Sequence, residues 1–160
     1  MSAARQKSRL LWLAFAAAVV VLSAAPVQSA LMPPIAVNPL TGVAIDGFDP
    51  VAYFTGEGAV QGRAEFEYEL AGVTWRFRSQ GNRAAFVDYP EVYAPQFGGY
   101  DPVAIARGVS VPGHPMMWAV AGDRLYLFYD AKARADFLEA PRRVIDAARR
   151  HWADVKRTLP

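Results

Sequence analysis

Trp75 to Tyr100 reads W-R-F-R-S-Q-G-N-R-A-A-F-V-D-Y-P-E-V-Y-A-P-Q-F-G-G-Y. A strand ending in Trp75 and Phe77 runs into Ser79, a residue type that caps helices by accepting a backbone N–H. Ala84, Ala85 and Phe86 predict a helix from there to about Asp88, ending before Pro90. A short turn carrying Tyr93 follows, and then a bend at Gly98-Gly99.

Immediately upstream, Phe66, Tyr68 and Leu70 alternate with Glu65, Glu67 and Glu69. Val73, Trp75 and Phe77 alternate in the same way with Thr74, Arg76 and Arg78. Such alternation predicts two half-buried strands. A two-residue connection at Ala71-Gly72 sets Phe66 opposite Phe77, Tyr68 opposite Trp75 and Leu70 opposite Val73. The same register sets Glu65 opposite Arg78 and Glu67 opposite Arg76, so aromatics face inward and opposite charges outward. A slip of one residue would bury the glutamates.

Downstream, Asp101-Pro102 predicts the start of a short helix over Val103 to Ala106, with Asp101 as its cap. Arg107 to Pro115 reads as loop. Trp118 to Val120 and Leu125 to Tyr129 flank Gly122-Asp123 and predict a second hairpin, apolar on both faces and so more buried than the first. Asp130 caps a helix running to about Leu138. A last helix runs from Pro141 to about Arg157, burying a stripe of Val144, Ala148, Trp152 and Val155. Its arginines read as a solvated face, because acids interrupt them. No internal repeat and no low-complexity run is read in the chain.

Ahead of all this, Arg5, Lys7 and Arg9 precede an apolar run from Leu10 to Leu22 and then small residues to Ala30. That order is a secretory signal over residues 1–30, and it predicts a periplasmic protein. The run is short for a membrane span; the alternative is an uncleaved N-terminal segment anchored in the inner membrane. Residues 31–42, with Pro33, Pro34 and Pro39, read as a proline-rich linker, and 43–160 as one domain. The chain has no cysteine, which excludes a lipoprotein anchor, disulfides and thiol chemistry.

Removing Arg5, Lys7 and Arg9 from the 17 Lys and Arg leaves 14 against 15 Asp and Glu, which removes the electrostatic case for nucleic acid. The remaining charge is uneven, with Ala131 onward basic and Leu31 to Asp130 acidic.

Asp49-Pro50-Val51, Phe77, Ser79, Phe86, Pro90 and Tyr93 together resemble the YHS domain. The resemblance covers roughly Val43 to Tyr129. It implies an α+β domain of two β-hairpins packed against short helices, here with a C-terminal amphipathic helix. Metal-trafficking YHS domains carry D-P-V-C and F-C-S-x-x-C, and an exported group carries Gly-Gly-Tyr-Cys. At those thiol positions this chain has Ala52, Arg78, Asn82 and Asp101. The soft-metal site implied by the family therefore has no donors here.

Two further groups bear on function. His114 with Met116, Met117 and Asp101 makes a copper-type ligand set in a metal-handling alternative, since imidazole and thioether suit that metal. Tyr93, Tyr100 and Asp101 flank the Gly98-Gly99 bend, and with His114 and Trp118 they are candidates to line a pocket for a small molecule or protein partner. No nucleophile elbow, acid–base pair or phosphate loop is present, so the expectation is a non-enzymatic binding module without a cofactor.

Overall fold

The computed structural model describes residues 34–159; the N-terminal signal reading lies outside them. The class is α+β, with two antiparallel two-stranded sheets among short helices. The first hairpin pairs β1 (Arg63–Leu70) with β2 (Val73–Phe77), followed by α1 (Gln80–Asp88) and α2 (Pro90–Tyr93). After α3 (Pro102–Ile105) the second pairs β3 (His114–Val120) with β4 (Leu125–Phe128), followed by α4 (Ala131–Glu139) and α5 (Pro141–Lys156). Among the described residues no helix is long and apolar enough to cross a membrane.

Near its turn the first hairpin has the expected register: Tyr68 faces Trp75, Leu70 faces Val73 and Glu67 faces Arg76. Further out it departs, because a bulge brings Arg63 opposite Phe77 where Phe66 was expected. Glu65 therefore does not face Arg78, whose guanidinium instead pairs with Glu57. The cause lies at Gly62, where a Cβ would come within 2.6 Å of the Arg76 backbone. Only glycine permits that approach, and the approach displaces the strand end.

The second hairpin begins earlier than expected, at His114, so part of the stretch read as loop is strand. All four residues of β4 are buried. Leu125 and Leu127 pack into one core with Trp75, Phe77 and Phe86, while Tyr126 and Phe128 pack into a second with Phe97 and Phe137. A strand lying between two cores has no polar face, which explains its unbroken apolar run. Val144, Ala148, Trp152 and Val155 of α5 all join the second core. On the surface of α5, Arg149 Nη1 lies 3.9 Å from Asp146 Oδ1. The described part of the segment read as linker, residues 34–42, lies on the domain from Ile35, which is buried, with Ala36 N–H donating to the Gly98 carbonyl at 2.8 Å. It turns back at Asn38, whose carbonyl accepts from Gly42 N–H at 2.8 Å.

The reading that the chain lacks an internal repeat is overturned. The ladder Glu67–Arg76, Tyr68–Trp75, Glu69–Thr74 recurs at a constant offset as Trp118–Leu127, Ala119–Tyr126, Val120–Leu125. The bulges coincide too, Arg63 opposite Phe77 matching His114 opposite Phe128. Gly113 repeats the tight spot of Gly62, with a built Cβ 2.5 Å from Leu127. Three consecutive left-handed residues, Ile45-Asp46-Gly47, return as Phe97-Gly98-Gly99. Arg83 Nε donates to the Glu67 carbonyl (2.8 Å), and Arg134 Nε donates to the Trp118 carbonyl (2.6 Å). Two equivalent halves, each a capped turn, a bulged hairpin and a helix, pack side by side. Their helices differ most after Pro90 and Pro141, where α2 stops at 4 residues and α5 continues for 16.

Candidate functional site

Each half is tied together by one buried carboxylate. Asp49 Oδ1 accepts from the N–H groups of Val51 (2.8 Å) and Ala52 (3.4 Å). Its Oδ2 accepts from Arg78 N–H (2.8 Å) and Asn82 Nδ2 (2.7 Å). Ala52, Arg78 and Asn82, three of the four positions marked by the sequence resemblance, thus converge on a single carboxylate. In the second half Asp101 Oδ1 accepts from Val103 (2.7 Å) and Ala104 (3.4 Å), and Oδ2 from Tyr129 N–H (3.1 Å). Ala133 stands where Asn82 stood, and its own N–H is held by Asp130 as Asn82 N–H is by Ser79. Both carboxylates are buried, 0% and 2% exposed, and their oxygens accept from donors of their own half, all of them backbone except Asn82 Nδ2. Asp101 is therefore the cap of α3 and the tie to β4.

The other expected site residues are dispersed. Tyr93 packs edge-on against Phe54 at 5.4 Å, and Trp118 packs edge-on against Tyr53 at 5.3 Å. Tyr100 is buried against Trp152, and burial raises its hydroxyl above the usual tyrosine range. His114 is exposed at the start of β3, with Nδ1 accepting the Met116 N–H at 3.1 Å. Met116 is exposed and Met117 packs against the second core. Among the described residues no group of three or more His, Asp or Glu side chains is placed to hold a metal ion. Asp101 lines a cavity of about 270 Å³ with Arg107, Tyr129, Lys132, Ala133 and Asp136, in which Lys132 is paired with Asp136.

A larger cleft of about 870 Å³ lies between the β3–β4 turn and the first turns of α5. Tyr126, 2% exposed, is its floor, with Ala121, Pro141 and Ile145 beside it. Arg124, Arg142, Arg143 and Arg149 rim it, against Asp146 as the one carboxylate of the lining. Burial raises the Tyr126 hydroxyl above its ordinary range, while the positive charges of Arg149 and Arg124 pull it back down. The ring and the guanidinium groups therefore meet in the same cleft.

Sequence reasoning missed this cleft. Read one residue at a time, Arg142 and Arg143 are the solvated start of a basic helix. The signal that finds them is the repeat, in which Ala121, Arg124 and Tyr126 replace Leu70, Val73 and Trp75 of the first half. Family models, curated proteins and solved structures alike provide no match for the chain.

Proposed function

We propose that this is an exported, YHS-like, non-enzymatic module that binds a small molecule in the cleft between the β3–β4 turn and α5. The observation that carries the proposal is the cleft itself: a concavity of about 870 Å³, floored by Tyr126 and Ile145 and rimmed by charged groups. Small-molecule sites combine that order of volume with apolar walls and a few placed polar groups. A binding role rather than catalysis is supported by the buried carboxylates. Asp49 and Asp101 are occupied by backbone donors, Ser79 is occupied as a cap, and none of them is left to move a proton. The YHS-like reading is supported by the meeting of Ala52, Arg78 and Asn82 at Asp49, as positions of one ligand set would meet. Export rests on the charged, apolar and small-residue order of residues 1–30.

Fragment binding mapped by amide chemical shifts on the purified protein tests the site. Shifts should cluster at Ala121, Tyr126 and Ile145. Ala121→Leu, which restores the side chain of the first half, should abolish them while the fold persists. Fragments that shift only residues remote from this cleft would refute the proposal.

A further inference from the structure

We infer that the ligand of this cleft is a small organic oxyanion, a carboxylate or phosphate carried on a compact apolar body. The inference rests on the reading of the cleft as the ligand site. Its lining sets four arginines against Asp146. That carboxylate does little to neutralise them, since its contact with Arg149 is 3.9 Å, the outer limit of an ion pair. Arg124 Nη1 is anchored on the Glu91 carbonyl at 2.9 Å, which holds the guanidinium at the rim without consuming its charge. Arg142 and Arg143 make no ion pair or side-chain hydrogen bond among the described residues.

The start of α5 adds to the same balance. The helices α1 and α4 are capped by Ser79 and Asp130, whose oxygens accept from the first turn. Preceding α5 is Ala140, which has no side-chain acceptor, and the first turn of α5 contains no acid. The backbone of Ala140 (φ −149°, ψ 65°) matches that of Tyr89 (φ −139°, ψ 58°) in the first half, which likewise makes no side-chain cap, but the first turn after Tyr89 contains Glu91 and that of α5 contains no acid. Where the first half has Leu70, Val73, Glu91 and Val92, the second has Ala121, Arg124, Arg142 and Arg143. One backbone plan carries Leu70, Val73 and an acid in one copy, and Ala121 with three arginines around a cleft in the other. Folding needs neither the opening nor the arginines, since the first half forms without them.

The floor decides between a bare and an organic anion. Tyr126, Ile145, Pro141 and Ala121 present apolar surface that inorganic phosphate cannot cover, whereas a ring or short alkyl chain covers it. Arginine suits the head group, because its planar fork binds carboxylate or phosphate oxygens two at a time.

Isothermal titration of the whole protein tests this with benzoate, phenyl phosphate, benzamide, benzylamine and inorganic phosphate at fixed ionic strength. Benzoate or phenyl phosphate should bind, and the stronger of the two identifies the head group. Arg149→Gln, and separately Arg142→Gln with Arg143→Gln, should weaken that binding about tenfold or more, as loss of a charged hydrogen bond does. These side chains are exposed, so circular dichroism should show an unchanged fold. Ala121→Leu is a second variant, expected to remove binding by filling the cleft with the arginines intact. Benzamide or benzylamine binding as tightly as benzoate overturns the oxyanion class, while loss of that binding in Ala121→Leu leaves the cleft standing as the ligand site. Inorganic phosphate binding as tightly as phenyl phosphate overturns the apolar body. No binding of either organic anion at millimolar concentration overturns the inference outright, and the fragment mapping then decides separately whether the cleft binds anything.

Discussion

Leu70, Val73 and Trp75 stand in the first half of the molecule at the ladder positions where Ala121, Arg124 and Tyr126 line a cleft in the second. The backbone around them is shared down to the bulge, the tight glycine and the buried aspartate. What differs is the side-chain volume at the hairpin turn and the helix that follows. In the first half Trp75 is 0% exposed, its ring tilted against Phe86 at 4.8 Å, and its Nε1 is buried without a hydrogen-bond partner among the described residues. Burying that ring is favourable enough to tolerate a lost hydrogen bond. In the second half Ala121 and Tyr126, smaller than Leu70 and Trp75, line a cleft, and the longer helix α5 supplies its other wall. The contrast teaches that the frame of this fold is fixed by its turns and aspartates, and that its hairpin faces are free to become core or site.

The largest expected effects lie in the frame. Trp75→Ala should cost about 3–5 kcal/mol in urea melts, as for a large buried aromatic that leaves a cavity. Asp49→Ala should cost at least about 3 kcal/mol, because four donors lose a charged acceptor and three of them belong to the backbone. Asp101→Ala should cost less than Asp49→Ala, having three donors rather than four. A loss below about 1 kcal/mol for either aspartate breaks the equivalence of the two halves, since that is the scale of an ordinary surface change.

A middle-sized effect concerns the contact between the halves. Tyr53 belongs to the first half, yet its hydroxyl donates to the Pro115 carbonyl of the second at 3.0 Å, and its ring meets Trp118. Burial, and after it the charge of Asp49, raises the pKa of this hydroxyl well above the usual value. A raised folded pKa means stability that is complete below the unfolded value of about 10 and lost as pH climbs through the folded one. Unfolding free energy should therefore fall above about pH 10. Tyr53→Phe should cost about 1 kcal/mol at neutral pH and reduce that alkaline fall. An alkaline fall of undiminished size in Tyr53→Phe would place the effect on Tyr100 and Tyr126, whose hydroxyls are also raised by burial.

How much of this was legible in the sequence follows from what each residue depends on. The turn-proximal register was readable because Glu67, Tyr68, Trp75 and Arg76 satisfy both faces locally. The bulge was not, because it arises from the approach of Gly62 to the backbone of Arg76, a contact outside the alternation. The repeat escaped although Asp49-Pro50-Val51-Ala52 and Asp101-Pro102-Val103-Ala104 are identical runs. Strand positions demand a side and a period but not a residue, so the glutamate-rich and apolar hairpins look unrelated. Asp101 as a cap was legible from Pro102. Tyr93 and Tyr100 flank the bend in sequence, but packing sends Tyr93, with Trp118, to the first core and Tyr100 to the second, and leaves His114 exposed. The cleft was the least legible, being a relation between a turn and a helix that no short window contains.

The smallest expected effect tests the comparison most sharply, through an exchange at one position. Asn82 supplies the fourth donor to Asp49, at 2.7 Å, and its counterpart Ala133 supplies none to Asp101. Asn82→Ala should therefore destabilise by about 1.5–3 kcal/mol, the scale of a hydrogen bond to a charged acceptor. Ala133→Asn is the reciprocal change. Ala133 borders the cavity of about 270 Å³ that also touches Asp101, so the added amide has space on the correct side. Both residues occupy the third position after a capping oxygen, Ser79 or Asp130, on helices with the same entry, so the new side chain starts from the same backbone. Its gain is limited by rotamer entropy and by any water it displaces, and about 0.5–1 kcal/mol in urea melts is the expected stabilisation. Neutral or destabilising behaviour would mean that the second half differs from the first around its aspartate as well as at its hairpin. A gain in Ala133→Asn that disappears in the Asp101→Ala background, measured as a double-mutant cycle, would fix the donor–acceptor pair as its cause.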